Sequence, residues 1–275
     1  MASHPIKAAV GLLALLAGCG ANLVLHTTVR DFDARVTLFL GGSSNSTLFT
    51  HGRDEALLVD VKSGGDARRL HADVVPKVRR ILLTHAHGDH TGGLSLWRGS
   101  DVVMVHPKAR ERLTVDAPFV EVTNEVRLML GGEEVRILDM GSGHTNGDLV
   151  ALIPGRKLLI AGDLVNQGLE PYADERYGGD LLQMAKTVPR LMQLDFDFVV
   201  PGHGGLMPRV EVQRLADYFI ALEAAVRSAR ASGKTEDEAA AQVTLPEHPL
   251  LETLFITTRK GNVRKLYRAL ARELH

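Results

Sequence analysis

Up to about residue 208 the chain alternates short apolar runs with polar, glycine-containing breaks, and the runs are of strand length. Residues 36–40 and 46–49 read as two strands, divided by Gly41-Gly42-Ser43-Ser44, which lets the chain turn. Residues 57–61 and 78–83 read as further strands, with a helix over 66–75 between them and another helix beginning at 94–97. Residues 102–105, 126–130, 135–138, 149–153, 158–160 and 196–200 continue the strand count. From Arg209 the period changes. Val212, Leu215, Phe219, Leu222 and Val226 recur at helical spacing, which predicts an amphipathic helix ending near Ser232-Gly233. Thr235 with Glu238 resembles a capping box. Val263, Leu266, Tyr267, Leu270 and Leu274 form a second helical stripe, read as core-facing rather than as a surface for a partner. The pattern therefore predicts an α/β chain with a β-rich first part and a helical extension, without internal repeats.

The candidate chemistry sits where strand-like runs end. Thr84-His85-Ala86-His87-Gly88-Asp89-His90 follows the 78–83 run and precedes Thr91-Gly92-Gly93, so three imidazoles and a carboxylate crowd one strand-to-helix turn. In an extended turn His85 and His87 point the same way, while Asp89 and His90 face a neighbouring point, so one motif can serve two metals. His144 follows the 135–138 strand within Gly141-Ser142-Gly143-His144-Thr145-Asn146-Gly147, Asp163 follows Ala161-Gly162, and His203 lies in Pro201-Gly202-His203-Gly204 after the 196–200 strand. Each ends an apolar run beside glycine, as His85 nearly does. His26, His51, His71, His106, His248 and His275 lack this setting and are assigned no role, and Asp148 reads as a turn former or a residue behind the ligands.

In order and in strand-end context, His85, His87, Asp89, His90, His144, Asp163 and His203 resemble the metal-binding pattern of the metallo-β-lactamase superfamily, and the resemblance covers roughly residues 30–225. It implies an αββα sandwich with metals at one sheet edge and a helical C-terminal extension. It also implies that His85, His87 and His144 bind one metal, that Asp89, His90 and His203 bind a second, and that Asp163 bridges them. Asp60 resembles the family's aspartate that orients ligands without being one. The expected cofactor is two Zn(2+), although the ligand types also admit Fe or Mn. The expected activity is that of a zinc-dependent hydrolase, with Asp89 and Asp163 at the reacting centre and a hydroxide held between two metals as nucleophile, so that no serine or cysteine nucleophile is needed. An aspartate bridge resembles lactonases, glyoxalase II-type thioesterases and phosphodiesterases more than β-lactamases, which favours an ester, lactone or related acyl substrate. The alternatives are a β-lactamase and a mononuclear iron dioxygenase of sulfur compounds that uses His85, His144 and Asp163. Residues 164–180, rich in Gly, Tyr and Asp, leave from Asp163 and are expected to wall the pocket, with Tyr172 or Tyr177 as hydrogen-bond donor; Ser43 to Ser46 would share the same mouth.

The remaining features concern where the chain works. Residues 1–7 form a weakly basic start, residues 8–17 an apolar stretch too short to span a bilayer, and Leu16-Ala17-Gly18-Cys19 resembles the lipobox of bacterial lipoproteins. This predicts a signal peptide over 1–18, lipidation of Cys19, a tether over 19–29, a catalytic domain over 30–232 and a helical extension over 233–275. Cys19 is the only cysteine, which excludes an intrachain disulfide. The expected location is extracytoplasmic on a membrane anchor, and Gly20 rather than aspartate after the cysteine favours the outer membrane of a Gram-negative cell. With 33 acidic against 32 basic residues and only 5% aromatic residues, nothing favours a nucleic-acid partner, leaving a small-molecule substrate.

Overall fold

The computed structural model describes residues 26–245 and 258–273. The stretch read as a signal peptide, Cys19, most of the tether, residues 246–257 of the extension and Leu274 lie outside the described residues.

The apolar runs pair into two sheets. The first takes β1 (Thr28–Asp31), β2 (Val36–Leu40), β3 (Ser46–His51), β4 (Glu55–Val59), β5 (Val78–Leu82), β6 (Val102–Val105) and β7 (Phe119–Glu121) in sequence order, antiparallel as far as β4 and parallel from β4 to β7. The second takes β8 (Glu125–Leu130), β9 (Glu133–Asp139), β10 (Leu149–Ile153), β11 (Leu158–Gly162), β12 (Phe198–Pro201) and β13 (Met207–Pro208), again in order, with only β11 and β12 parallel. The helices among the described residues are α1 (Gly64–Asp73), α2 (Gly88–Thr91), α3 (Pro107–Arg110), α4 (Leu181–Leu191), α5 (Arg209–Ala231), α6 (Glu236–Gln242) and α7 (Arg259–Arg272).

The two-residue period of the strands sorts their side chains into three apolar layers. Leu57 and Val59 of β4 face the second sheet, where they meet Ile137, Ala151 and Ile160, while Ala56 and Leu58 face outward onto Leu70, Leu94 and Trp97. Leu149, Ala151 and Ile153 of β10 fill the space between the sheets, and Val150 and Leu152 turn to α4 and α5. Strands covered on both faces lose the polar alternation of a solvent-facing sheet, which is why these runs read as continuously apolar. The result is the expected αββα sandwich. Val263, Leu266, Ala269 and Leu270 bring α7 into the same core as α4 and α5, so its stripe faces the core. Burying each such leucine is worth about 1.5–3 kcal/mol.

Local departures from the pattern have local causes. The strand read over 57–61 stops at Val59, because Asp60 (φ 57°) and Lys62 (φ 56°) take the left-handed conformation and turn the chain. The helix expected from 94–97 is one tight turn over Leu94–Leu96, and the helical turn begins earlier, at Gly88, so Asp89 and His90 do not continue an extended segment. α4 has no counterpart in the sequence reading; Asp180 caps it by accepting from the amides of Leu182 (2.8 Å) and Gln183 (3.2 Å). β1 begins at Thr28, inside the stretch read as tether.

Candidate metal centre

Each sheet contributes a parallel pair, β4/β5 and β11/β12, and the loops that leave these pairs meet at one edge of the sandwich. Asp60 leaves β4, the His85–His90 turn leaves β5, Asp163 leaves β11 and His203 leaves β12, while His144 lies in the β9–β10 connection. Backbone bonds stitch these loops together: Leu149 N to Thr84 O (2.7 Å), Gly202 N to Gly162 O (2.9 Å) and Asn45 N to Gly202 O (2.8 Å).

Seven side chains converge there in two groups, His85, His87, His144 and Asp163, and Asp89, His90 and His203. In the first group His87 Nδ1 lies 3.1 Å from His85 Nε2 and 2.8 Å from His144 Nε2, and His144 Nε2 lies 3.4 Å from Asp163 Oδ2. In the second, Asp89 Oδ2 lies 3.5 Å from His90 Nε2 and 3.1 Å from His203 Nε2. Asp163 reaches both, with Oδ1 3.2 Å from His90 Nε2 and Oδ2 3.5 Å from His203 Nε2.

Hydrogen bonds on the far side settle the tautomers of His85, His90 and His144. Asp60 accepts from the Thr84 amide (2.8 Å), from Thr84 Oγ1 (2.8 Å) and from His90 Nδ1 (2.7 Å). With its only proton given to Asp60, Thr84 Oγ1 must accept from His85 Nδ1 (3.0 Å). His144 Nδ1 donates to the Tyr172 carbonyl (2.7 Å), and His87 Nε2 faces the buried Asp174 carboxylate at 3.2 Å. The N–H groups therefore point away from the centre, leaving His85 Nε2, His87 Nδ1 and His144 Nε2 as bare lone pairs crowded on one another. Three lone pairs at such spacing repel unless a cation lies among them; tetrahedral zinc with bonds of about 2.0–2.1 Å would set its nitrogens roughly 3.3 Å apart. His90 Nε2 and Asp163 Oδ1 are also buried without a hydrogen-bond partner, and so is His87 Nε2, whose approach to Asp174 is electrostatic only. The donor set fits a pair of divalent cations.

Electrostatics divide the two groups. Burial pushes His85 well below the usual imidazole range and takes His87 down to about 4, with neighbouring imidazoles adding to the effect, so these ligands stay neutral. Burial also opposes charge on His90 and His203, but Asp163 outweighs it, aided by Asp60 at His90 and by Asp89 at His203. His90 rises well above its usual range and His203 to about 9. The same contacts override burial at Asp89 and Asp163 and hold both carboxyls below their usual range. The second group thus balances carboxylates with positive charge, the charge that a divalent cation would bring.

The remaining candidates fall around this centre. The Tyr177 ring stands edge-on to His87 (centroids 4.2 Å apart), with the Arg112 guanidinium 4.6 Å from its centroid. Tyr172 supplies its backbone carbonyl to His144, while its hydroxyl lies with Arg176 and Asp174; burial and the Asp174 charge raise this phenol and keep its proton. Ser44 Oγ donates to the Asp89 carbonyl (2.8 Å), and Asn45 Nδ2 donates to the carbonyls of Pro201 (2.8 Å) and Gly204 (3.0 Å), so the Gly41–Asn45 turn braces the Asp89 and His203 loops. Asp148 accepts from the amide and hydroxyl of Thr145, and burial raises it to about 6, which makes it a turn residue. His71 packs on Trp97 and His106 caps α3, both in structural roles. Sequence reasoning gave no role to Asp174 or Thr84 and placed Asn45 only within the Ser43 to Ser46 mouth, without its bracing bonds. Asp174 lay within the stretch expected to wall the pocket, but nothing in the sequence separated it from its acidic neighbours.

The family model of the Metallo-beta-lactamase superfamily matches residues 40–203. A hydroxyacylglutathione hydrolase of Albidiferax ferrireducens is 27% identical over 243 residues, covering 82% of this chain and 88% of its own. One from Halorhodospira halophila is 32% identical over 200 residues, covering 69% and 74%. The solved structure of the inverting sec-alkylsulfatase Pisa1 from Pseudomonas sp. superposes with a TM-score of 0.71 at 14% identity over 88% of this chain, a likeness of fold, and the chain spans only 50% of that protein.

Proposed function

The chain belongs to the metallo-β-lactamase superfamily, and from that premise we propose that it is a two-metal hydrolase of an ester, thioester, lactone or related acyl compound. The observation that carries this reading is Asp163, whose carboxylate touches both groups of ligands, with Oδ1 on His90 and Oδ2 between His144 and His203. His85, His87 and His144 would hold one ion, Asp89, His90 and His203 the other, and Asp163 both, with zinc as the expected metal. When bound, such a pair supplies Lewis acidity and lowers the pKa of a water toward about 7.

The protein's own groups then have defined tasks. Asp60, Thr84, Asp174 and the Tyr172 carbonyl keep the imidazole lone pairs aimed inward. Asp89, kept ionised chiefly by its hydrogen bond from His203 against the effect of burial, is the more open of the two central carboxylates and takes up the proton lost by the attacking water. Tyr177, edge-on to His87, and the Ser43–Ser44 turn beside Asp89 flank the approach to the site. The likeness to hydroxyacylglutathione hydrolases supports an acyl ester or thioester substrate. The Leu16–Cys19 segment supports secretion and lipid anchoring through Cys19.

The test is metal content per chain, measured on protein purified without chelator, followed by hydrolysis assays on thioesters, lactones, phosphodiesters and β-lactams with the wild type and Asp163→Ala. About two zinc ions, with hydrolysis lost in the variant, are expected of two-metal chemistry. One iron and no second ion would overturn the proposal in favour of the mononuclear oxygenase.

A further inference from the structure

The C-terminal extension reaches the candidate metal centre without placing a side chain in it. Between Asp163 and α4 the chain runs back over the site, and the strap 170–174 passes between the His144 loop and α7. On an extended strap successive carbonyls point to opposite sides. The carbonyls of Pro171 and Ala173 turn to α7, where Asn262 Nδ2 donates to the first (2.8 Å) and Lys265 Nζ to the second (2.9 Å). The carbonyl between them, that of Tyr172, turns the other way and takes the Nδ1 proton of His144 (2.7 Å). Asp174 follows, with its amide on the His144 carbonyl (2.8 Å) and its carboxylate 3.2 Å from His87 Nε2.

Asn262 and Lys265 are three residues apart, so they lie on one face of α7. Asn262 is fully buried, and its amide also reaches Glu170 Oε1 (3.3 Å), to which Tyr218 of α5 donates through its hydroxyl. The Lys265 ammonium sits 4.8 Å from the centroid of the Tyr172 ring as well as on the Ala173 carbonyl. The strap is therefore gripped at the carbonyls on either side of the one that orients His144.

We propose that Asn262 and Lys265 of α7 are positioning residues of the first metal site, acting through the 170–174 strap on the orientation of His144 and His87. The inference rests on the metal reading of the site and extends it to a helix that supplies no ligand. Groups behind metal-binding histidines typically change metal affinity by about 10–100-fold when removed. Asn262 and Lys265 stand one step further back, so the lower end of that range is expected.

The experiment loads the full chain with zinc, challenges it with a chromophoric chelator and follows release of each ion in the wild type, Asn262→Ala, Lys265→Met, Lys265→Arg and Arg268→Ala. Arg268 pairs with Glu236 on the exposed side of α7 and serves as the control for loosening of the helix. The expected result is that N262A and K265M release one of two zinc ions about tenfold faster than the wild type, with the other ion unchanged. K265R, which keeps a donor, and R268A should release both as the wild type does. Should N262A fail to fold, K265M alone decides, since it keeps the length of the side chain and removes its donation to Ala173 together with the charge over the Tyr172 ring. Equal release from the wild type and K265M would overturn the inference while leaving the metal reading intact, as would loss of both ions in step with stability in K265M and R268A alike. A wild-type chain that takes up no zinc would overturn the metal reading, and this inference with it.

Discussion

Replacing Asp60 by asparagine should weaken both metal sites while leaving the fold in place. Asparagine tolerates the left-handed φ of 57° that position 60 requires, and it keeps the shape of the side chain. It has one acceptor oxygen where the carboxylate offers two. The Thr84 amide, 2.8 Å away, can only donate, so the amide oxygen must stay on that side and the new NH2 group falls opposite both His90 Nδ1 and Thr84 Oγ1, which share the other carboxylate oxygen. Two donors cannot share that contact. His90 must then move its proton to Nε2, the atom that faces Asp163 at 3.2 Å and Asp89 at 3.5 Å. A proton there occupies the lone pair that the second ion needs, and Thr84 Oγ1, which can no longer donate to residue 60, turns its proton toward His85 Nδ1 and disturbs the first site as well. The lost contact is a hydrogen bond to a charged group in a fully buried setting, worth about 1.5–3 kcal/mol, which corresponds to roughly 10–150-fold in affinity. Studies of groups behind metal ligands give a similar span of about 10–100-fold. The assay is a competitive zinc titration that resolves the two ions, with circular dichroism to confirm the fold. D60N should bind both ions more weakly than the wild type, the one held with His90 by about 10–100-fold. If both ions bind within about threefold of wild type, the account of how Asp60 sets the His90 tautomer is wrong.

Three further outcomes follow from the same geometry. A Cβ on residue 202 would stand 1.8 Å from Asp163 Oδ1, so Gly202→Ala must displace that carboxylate; an ångström of misplacement costs about 100-fold, and hydrolysis that survives within about tenfold would refute the bridging role. Lys62 is buried on the carbonyls of Phe39, Gly41 and Ser44, and burial lowers it from 10.5 to about 8 against the opposing charges of Asp66 and Asp60. The unfolded chain keeps this proton up to about pH 10.5, so from about pH 8 to 10.5 folding releases it and this group adds stability as pH rises, by about 3 kcal/mol across the window. Denaturant unfolding of wild type and Lys62→Met should show their difference moving toward the wild type by that amount, and a difference independent of pH would sink the argument. Cys19→Ala should shift the protein from the membrane fraction to the soluble fraction, and unchanged membrane association would count against lipidation at that residue.

The layers of the fold were legible because strands covered on both faces leave long apolar runs, and α5 and α7 keep a regular stripe. The interruptions were less legible. Asp60 and Lys62 continue an apolar run in sequence but turn the backbone through the left-handed region, where most side chains are disfavoured, and nothing in their residue types announces it. A lysine at position 62 reads as a surface residue until three carbonyls of the 39–44 segment are seen closing around it. α4 was hidden because the glycines and acidic residues of 164–180 suggested one long loop, while the cap at Asp180 is formed from within that loop.

The same contrast separates the inward and outward sides of the metal centre. A ligand must present a lone pair of the right softness, so its identity is confined to a few residue types, and seven such residues at strand ends stood out in the sequence. The group behind a ligand need only accept a proton. Here that task falls to a threonine hydroxyl for His85, an aspartate 30 positions earlier for His90 and a backbone carbonyl for His144, while His87 has only the nearby charge of Asp174. Every residue carries a carbonyl, so no pattern of side chains could have marked Tyr172 for the last of these. What selects it is the alternation of the strap, and the two α7 side chains that hold the neighbouring carbonyls on the opposite face. Precision at His144 therefore depends on residues about 120 positions away, in a helix whose sequence reports only its apolar stripe.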